Sequence, residues 1–286
     1  MTTPTCIQPP MDAIQRLARA ALLSTAPLLL LSPHPLHAQA SDPKAMQALL
    51  AATQSELAAA RDDHSAWIYH DHDTGPGKDD LLQVVDTPQG GLRRIIARSG
   101  HPLAPDEREA ESARIDRYVN DPAAQARARK AGIHDDEQAE EMTNMLPRAF
   151  IWTIAAETPE FITLNYRHHP AFDPPDIEAR VMGTMAGQVI IARNGNRIRS
   201  LHGTLTEDVK FGFGFFGRLN KGGTFDIERR QVGPGIWQIT ESHVHIGGHA
   251  LLFKTIGQQD DEVKTDWKPS PAKTLREAED ILRNAK

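Results

Sequence analysis

The feature that most constrains the fold is a series of short alternating segments that begins after Pro147 and continues to about residue 256. Apolar and polar residues alternate within each segment, which is typical of a strand with one buried face. The Asn194-Gly195 pair is a strong signal for a two-residue hairpin turn. The predicted strands are Phe150–Ala155, Phe161–Arg167, Val181–Arg193, Arg197–Val209, Phe211–Leu219, Thr224–Val232, Ile236–Ile246 and Ala250–Ile256. Even spacing with short turns predicts antiparallel neighbours in one curved sheet.

A helix and three further strands precede this series. Asp42 followed by Pro43 is typical of a helix N-cap and first turn, and the apolar spacing predicts a helix to about Ala60. The strands that follow are predicted at His64–His72, Leu81–Val85 and Leu92–Ala97. A last amphipathic helix is predicted over Leu275–Arg283.

The segment at about residues 105–146 interrupts the strands. It is rich in Ala, Glu, Arg and Gln and nearly free of β-branched residues, which favours helices. The predicted helices are Asp106–Tyr118, Pro122–Ala131 and Asp135–Met145. Because its charges are mixed in sign, we expect a solvated helical face. The sequence therefore predicts an α+β fold, with an antiparallel curved sheet or half-open β-barrel, capping helices and a charged helical insert.

The N-terminus has the order of features that is typical of a secretory signal peptide. Arg16 and Arg19 precede an apolar run from Ala20 to Leu31, and the small residues Ala38-Gln39-Ala40 follow it. This order predicts cleavage after Ala40 and a periplasmic location. The remaining residues 41–286 are expected to form a single domain. The run is shorter than the ~20 apolar residues that span a bilayer, so no stable membrane span is expected.

Composition excludes several classes of function. The net charge of −6 argues against a nucleic-acid partner, which needs a basic face. The single cysteine, Cys6, argues against disulfide frameworks, cysteine-rich zinc sites and Cys–His catalysis. No P-loop, HExxH or GxSxG pattern occurs. The Gly212–Gly217 segment matches GxGxxG, but its glycines alternate with phenylalanines in a predicted strand and the next predicted element is another strand instead of a helix, so no nucleotide cofactor is predicted.

Aromatic and aliphatic residues recur on one face of several predicted strands. By alternation, these candidate ligand-lining residues are Phe150, Trp152, Leu164, Tyr166, Phe211, Phe213, Phe215, Phe225, Trp237 and Ile239. They form a large apolar surface. This surface either packs against the helices as a core or is left partly open to hold an apolar ligand.

Three histidines provide a metal-site alternative. His243 and His245 share a strand face, because alternate residues point the same way, and His249 follows four residues later. Imidazole is a common zinc ligand, so the three together form a candidate site for a metal-dependent hydrolase. The same pattern is expected from histidines on a solvent-facing sheet surface.

The order of elements resembles that of the outer-membrane lipoprotein carriers of the LolA/LolB superfamily. The most similar segments are Gly187–Thr204, which contains the Asn194-Gly195 hairpin, and Phe211–Phe253, which contains Leu219-Asn220-Lys221-Gly222-Gly223-Thr224-Phe225 and Gly235-Ile236-Trp237. The resemblance implies a half-open barrel, capped by helices, that holds an acyl chain. The charged insert is an addition to the carrier pattern, and no carrier ligand residue matches a position here.

The function expected from these features is non-catalytic binding of a lipid or lipoprotein acyl chain in an apolar concavity, without a cofactor. The implied partner is an apolar ligand or an acylated protein. An envelope scaffold or signalling module with a filled core, which contacts an envelope protein, is the alternative. The two differ in interior volume: a cavity of several hundred Å³ favours the binding protein, and a packed interior favours the scaffold.

Overall fold

The structure, a computed structural model, describes residues 40–211, 217–250 and 254–284. Within these ranges the chain forms one 13-stranded sheet and five α-helices. The helices are α1 (Pro43–Asp62), α2 (Pro105–Val119), α3 (Pro122–Ala149), α4 (Ile177–Gly183) and α5 (Leu275–Asn284). The strands are β1 (Trp67–Gly75), β2 (Lys78–Thr87), β3 (Gly90–Arg98), β4 (His101–Pro102), β5 (Phe150–Glu157), β6 (Phe161–His168), β7 (Met185–Ala192), β8 (Arg197–Leu205), β9 (Val209–Phe211), β10 (Gly217–Leu219), β11 (Thr224–Gly233), β12 (Ile236–Ala250) and β13 (Lys254–Pro269).

The sheet is antiparallel, curved and open. Its strand order is β4-β3-β2-β1-β13-β12-β11-β8-β7-β6-β5, and β10 pairs with both β12 and β9. Most neighbours in the sheet are neighbours along the chain, and the main exception is the pairing of β1 with β13. The predicted α+β fold with an open antiparallel sheet and helices is therefore confirmed.

Some element bounds differ from the sequence prediction. The strand predicted from Val181 begins at Met185, because Asp176 caps the short helix α4 ahead of it. The last strand, β13, extends to Pro269, although its segment Asp260–Lys264 is strongly charged. The insert forms two helices instead of three, because α3 continues through Gly132 and includes Pro147 in its last turn.

The two faces of the sheet are covered by different helices. Helix α1 packs against β5, β7 and β8 through a buried stripe of small residues and Leu49. We call the face that α1 covers the inner face. Residues that lie directly opposite each other on paired strands share a face. The register therefore puts Trp152, Tyr166, Phe225 and Asp260 on the inner face. Glu262, two residues beyond Asp260, and Asp73, which lies opposite Glu262, are on the same face.

The opposite, outer face is covered only at the β1–β3 end among the described residues. Val85 and Leu92 are buried there under α5, together with Ile115 of α2. They lie opposite each other and point away from the neighbouring inner-face residue Val84. No helix among the described residues is both long and apolar enough to span a membrane.

Helix α2 of the insert lies along the free edge of β3. Arg114 donates a hydrogen bond to the carbonyl oxygen of Arg93 (2.6 Å), and the carboxylate of Glu111 accepts one from the backbone N–H of Ile95 (3.2 Å). Arg114 and Glu111 also pair with each other at 2.9 Å. These side chains satisfy backbone groups that an edge strand would otherwise expose.

Candidate functional site

The predicted ligand-lining residues of β5 and β6 form a filled core under α1. Trp152 and Leu164 have no exposed surface, and Phe150 and Tyr166 are almost fully buried. The rings of Phe150 and Tyr166 lie 4.7 Å apart, and those of Trp152 and Tyr166 lie 5.3 Å apart. The polar atoms are also used: Tyr166 Oη donates to the carbonyl of His202 (2.9 Å), and Trp152 Nε1 donates to that of Leu146 (3.1 Å).

The remaining predicted lining residues divide between this core and its surroundings. Phe211 is buried in the same cluster, and Phe225 packs against it. Phe213 and Phe215 lie outside the described residues. Trp237 and Ile239 lie beyond the core, and Ile239 is 41% exposed.

A bulge in β12 determines where Trp237 points. The register between β11 and β12 shifts at Glu228/Arg229, which leaves Thr240 as one extra residue in β12. Such a bulge reverses the alternation beyond it. Trp237 therefore lies on the same side as Arg229, which contacts α1.

Trp237 lines a cleft of about 550 Å³, which we call the α1 cleft. It lies where α1 ends, next to α3 and to the turn between β11 and β12. Its apolar wall consists of Ala59, Ala60, Pro234, Ile236 and Trp237, its floor of Glu56, Arg197 and Arg229, and its acidic rim of Asp62, Asp63 and Asp136. The α1 cleft lies within the range of about 300–1,000 Å³ that is typical of small-ligand sites.

The floor is an ionic clamp between α1 and the sheet. Glu56 accepts hydrogen bonds from Arg197 (2.9 Å) and from the backbone N–H of Ile198 (2.7 Å), and it pairs with Arg229 at 2.7 Å. Burial acts to raise the pKa of Glu56, but the two guanidinium groups outweigh it and hold that pKa below its usual value. Arg197 and Arg229 also donate to the carbonyls of Gly235 and Trp237, so most of their hydrogen-bonding capacity is used within the protein.

The rim gives the mouth of the α1 cleft a negative charge. Asp63 accepts a hydrogen bond from Gln238 (3.1 Å), while Asp62 and Asp136 lie at the exposed ends of the lining. Desolvation, and then the neighbouring charge of Asp135, raise the pKa of Asp136. Because Glu56 partly neutralises Arg197 and Arg229, the three carboxylates of the rim determine the sign of the charge at the mouth.

The three histidines of the metal-site alternative are not brought together. His243 and His245 both contact Asp261 on β13, at 2.6 Å and 3.1 Å. His249 lies on the same strand four residues beyond His245, which is about 13 Å along an extended chain. Among the described residues no group of three His, Cys, Asp or Glu side chains has an arrangement that could hold a metal ion.

Sequence reasoning missed a buried ionic cluster on the inner face. Its members are Asp71 and Asp73 of β1, Arg93 of β3, and Glu262 and Lys264 of β13. The side chain of Asp71 has no exposed surface and, within the described part of the chain, no hydrogen-bond partner, and Arg93 lies 3.7 Å away. Desolvation raises the pKa of Asp71 and that of Asp73.

The signal for this cluster was present but ambiguous. Asp71 and Asp73 alternate with His70 and His72 along β1, so both faces of that strand read as polar. Alternation shows which residues share a face, but it does not show which face is buried.

Comparison of the chain with protein-family models, with curated proteins and with solved structures found no match.

Proposed function

We propose that this protein is an exported, non-catalytic binding protein that takes an amphipathic ligand, such as a lipid or an acylated peptide, in the α1 cleft. The observation that carries the proposal is the α1 cleft itself: about 550 Å³ of space with an aromatic wall at one side and carboxylates at its mouth. Such a combination of an apolar surface and a few convergent polar groups is typical of ligand sites.

The apolar part of the ligand is assigned to the wall formed by Trp237 and Ile236. The neighbouring aromatic core is already filled by α1, so an acyl chain would have to displace that helix to enter the core. Close packing makes such an exchange unfavourable, whereas the α1 cleft is open without it. We therefore propose that the ligand binds beside the predicted concavity and not within it.

The polar part of the ligand is assigned to the acidic rim. In the proposed complex Asp62 and Asp136 contact a positively charged group of the ligand, while Arg197 and Arg229 are paired with Glu56. An amine over the face of Trp237 would also gain a cation–π contact. The ligand class that fits is therefore an apolar body that carries a positive group.

A pair of probes with one chain length tests this proposal. Protein purified after expression of the full chain would be titrated calorimetrically with dodecylamine and with dodecanoate, below their micelle concentrations. We expect dodecylamine to bind about tenfold more tightly. Trp237→Leu should weaken its binding about tenfold, since aromatic anchors dominate such contacts.

The control is Phe161→Leu, which changes an aromatic side chain outside the α1 cleft. It should bind dodecylamine like the unmodified protein. If both probes bind with equal affinity, the acidic rim does not select the ligand. If Trp237→Leu and Phe161→Leu lose the same affinity for dodecylamine, the α1 cleft is not the binding site.

A scaffold or signalling module of the cell envelope is the second candidate. The filled aromatic core under α1 favours it, because a packed interior leaves no room for a ligand there. Absence of binding of either probe to correctly folded protein would favour this function over ligand binding.

A further inference from the structure

A row of histidines and carboxylates crosses the outer face of the sheet. His202 of β8 lies opposite Asp226 of β11, which lies opposite His243 of β12, which lies opposite Asp261 of β13. His202 is hydrogen-bonded to Asp226, and His243 and His245 are both hydrogen-bonded to Asp261. We call these five residues the His–Asp row.

The His–Asp row is open to solvent. Its side chains keep between 35% and 47% of their surface exposed. Helices α2 and α5 cover the outer face near β2 and β3, and α1 lies on the inner face. Among the described residues no helix packs against the outer face at β8, β11 or β12.

The charge of this face depends on the protonation of the imidazoles. The described ionisable groups beside the row are the pairs Arg199 with Glu228 (3.9 Å) and Arg230 with Glu241 (2.9 Å), where Glu241 also lies 4.0 Å from His243, and, on the β1 side, His72 with Asp79 (2.8 Å). The two Arg–Glu pairs are neutral, so the carboxylates of Asp226, Asp261 and Asp79 make this face negative while the imidazoles are uncharged. Protonation of the three histidines makes the row positive.

We propose that the His–Asp row is a docking surface for a basic protein segment, which binds while the imidazoles are neutral and is released when they become protonated. A carboxylate has about four lone-pair sites, so Asp226, which contacts one imidazole, and Asp261, which contacts two, keep free lone pairs for Lys or Arg. Asp226 and Asp261 are two strands apart, which is about 10 Å, so two basic side chains at that spacing fit the row.

Release follows from competition for the same carboxylates. A protonated imidazole is itself a cation beside the carboxylate, so it takes the place of the partner's cation when the pH is lowered. The contacts of Asp261 with the imidazoles are reflected in its pKa. Burial acts to raise the pKa of Asp261, but the hydrogen bonds from His243 and His245 outweigh burial and lower that pKa. The inference does not depend on the α1 cleft, which lies on the other face.

The test uses an octalysine peptide with a neutral fluorescent label and measures its binding to the full chain by anisotropy at low salt. We expect binding at pH 7.5 to be about tenfold tighter than at pH 5.5. Asp226→Asn with Asp261→Asn should remove binding at pH 7.5. The matched control is Asp106→Asn with Glu109→Gln, which removes two exposed carboxylates from α2 and should keep it.

A histidine variant separates the switch from general charge effects. His202→Gln, His243→Gln and His245→Gln together should retain at pH 5.5 the affinity that the unmodified protein shows at pH 7.5. The proposal is overturned if this variant still loses the peptide at pH 5.5, or if the two carboxylate variants bind it equally. Trp237→Leu should leave peptide binding unchanged, which distinguishes this surface from the α1 cleft.

Discussion

At the scale of single residues, Asp71 is a fully buried carboxylate whose side chain has no hydrogen-bond partner among the described residues. The guanidinium of Arg93 lies 3.7 Å from it. Burial raises the pKa of Asp71, and the charges of Lys264 and Arg93 only partly oppose this effect. An isolated buried charge is destabilising unless it is paired and hydrogen-bonded.

Asp71→Asn is therefore expected to stabilise the protein at neutral pH. The pKa of Asp71 is higher in the folded protein than in the unfolded chain. The protonated carboxyl therefore stabilises the folded protein fully at pH values below the pKa of the unfolded chain. This stabilisation is lost as the pH rises through the pKa of the folded protein. We expect a gain of about 1 kcal/mol in the free energy of unfolding at pH 7 that shrinks towards pH 4. Urea denaturation at both pH values measures it, and a loss of stability at pH 7 would contradict the description of this cluster.

The residues of the α1 cleft show why site prediction from sequence has limits. Trp237 was singled out by its aromatic character and its place on a predicted strand. Glu56 and Arg197 were not, because 141 residues separate them and only the packing of α1 on the sheet joins them. Likewise, the bulge at Thr240 that turns Trp237 towards α1 leaves no mark in the alternation pattern.

At the scale of elements, the hairpins and the helical nature of the charged insert were predictable, whereas the charged strand β13 was not. Alternation and turn residues located β5, β6, β8 and β11 to within a few residues, because a half-buried strand imposes that pattern. The last strand was predicted only over Ala250–Ile256, because the charged segment Asp260–Lys264 lacks the apolar alternation of a half-buried strand, whereas β13 runs from Lys254 to Pro269. Its charges are accommodated instead by His243 and His245 on one face and by the ionic cluster on the other.

The charged insert gains a structural role that its composition did not indicate. Helix α2 uses Glu111 and Arg114 to occupy the free edge of β3. Exposed edges are templates for pairing with other chains. Glu111→Ala with Arg114→Ala should therefore increase aggregation on heating, with only a small decrease in the midpoint temperature of unfolding.

Light scattering during a thermal ramp measures this effect. Glu109→Ala with Arg117→Ala changes the same helix at exposed positions and serves as the control. Equal scattering by the two double variants would show that α2 does not protect the edge.

At the scale of the whole molecule, the open sheet carries one proposed binding surface on each face. The inner face carries the filled core and the α1 cleft, and the outer face carries the His–Asp row. The α+β architecture with an open antiparallel sheet followed from pattern and turn chemistry, whereas the likeness to lipoprotein carriers, export and ligand binding stay predictions. Fold alone does not determine function, so these must be tested at the site.

Native mass spectrometry tests whether the exported protein holds a ligand in the α1 cleft. The protein would be purified from the periplasm without detergent after expression of the full chain, and Trp237→Leu would be treated in the same way. Our account predicts a chain that begins at Ser41 and carries an additional lipid-like mass, which organic extraction releases and which the variant loses. A chain without added mass, still without it after incubation with dodecylamine, would contradict ligand binding in the α1 cleft.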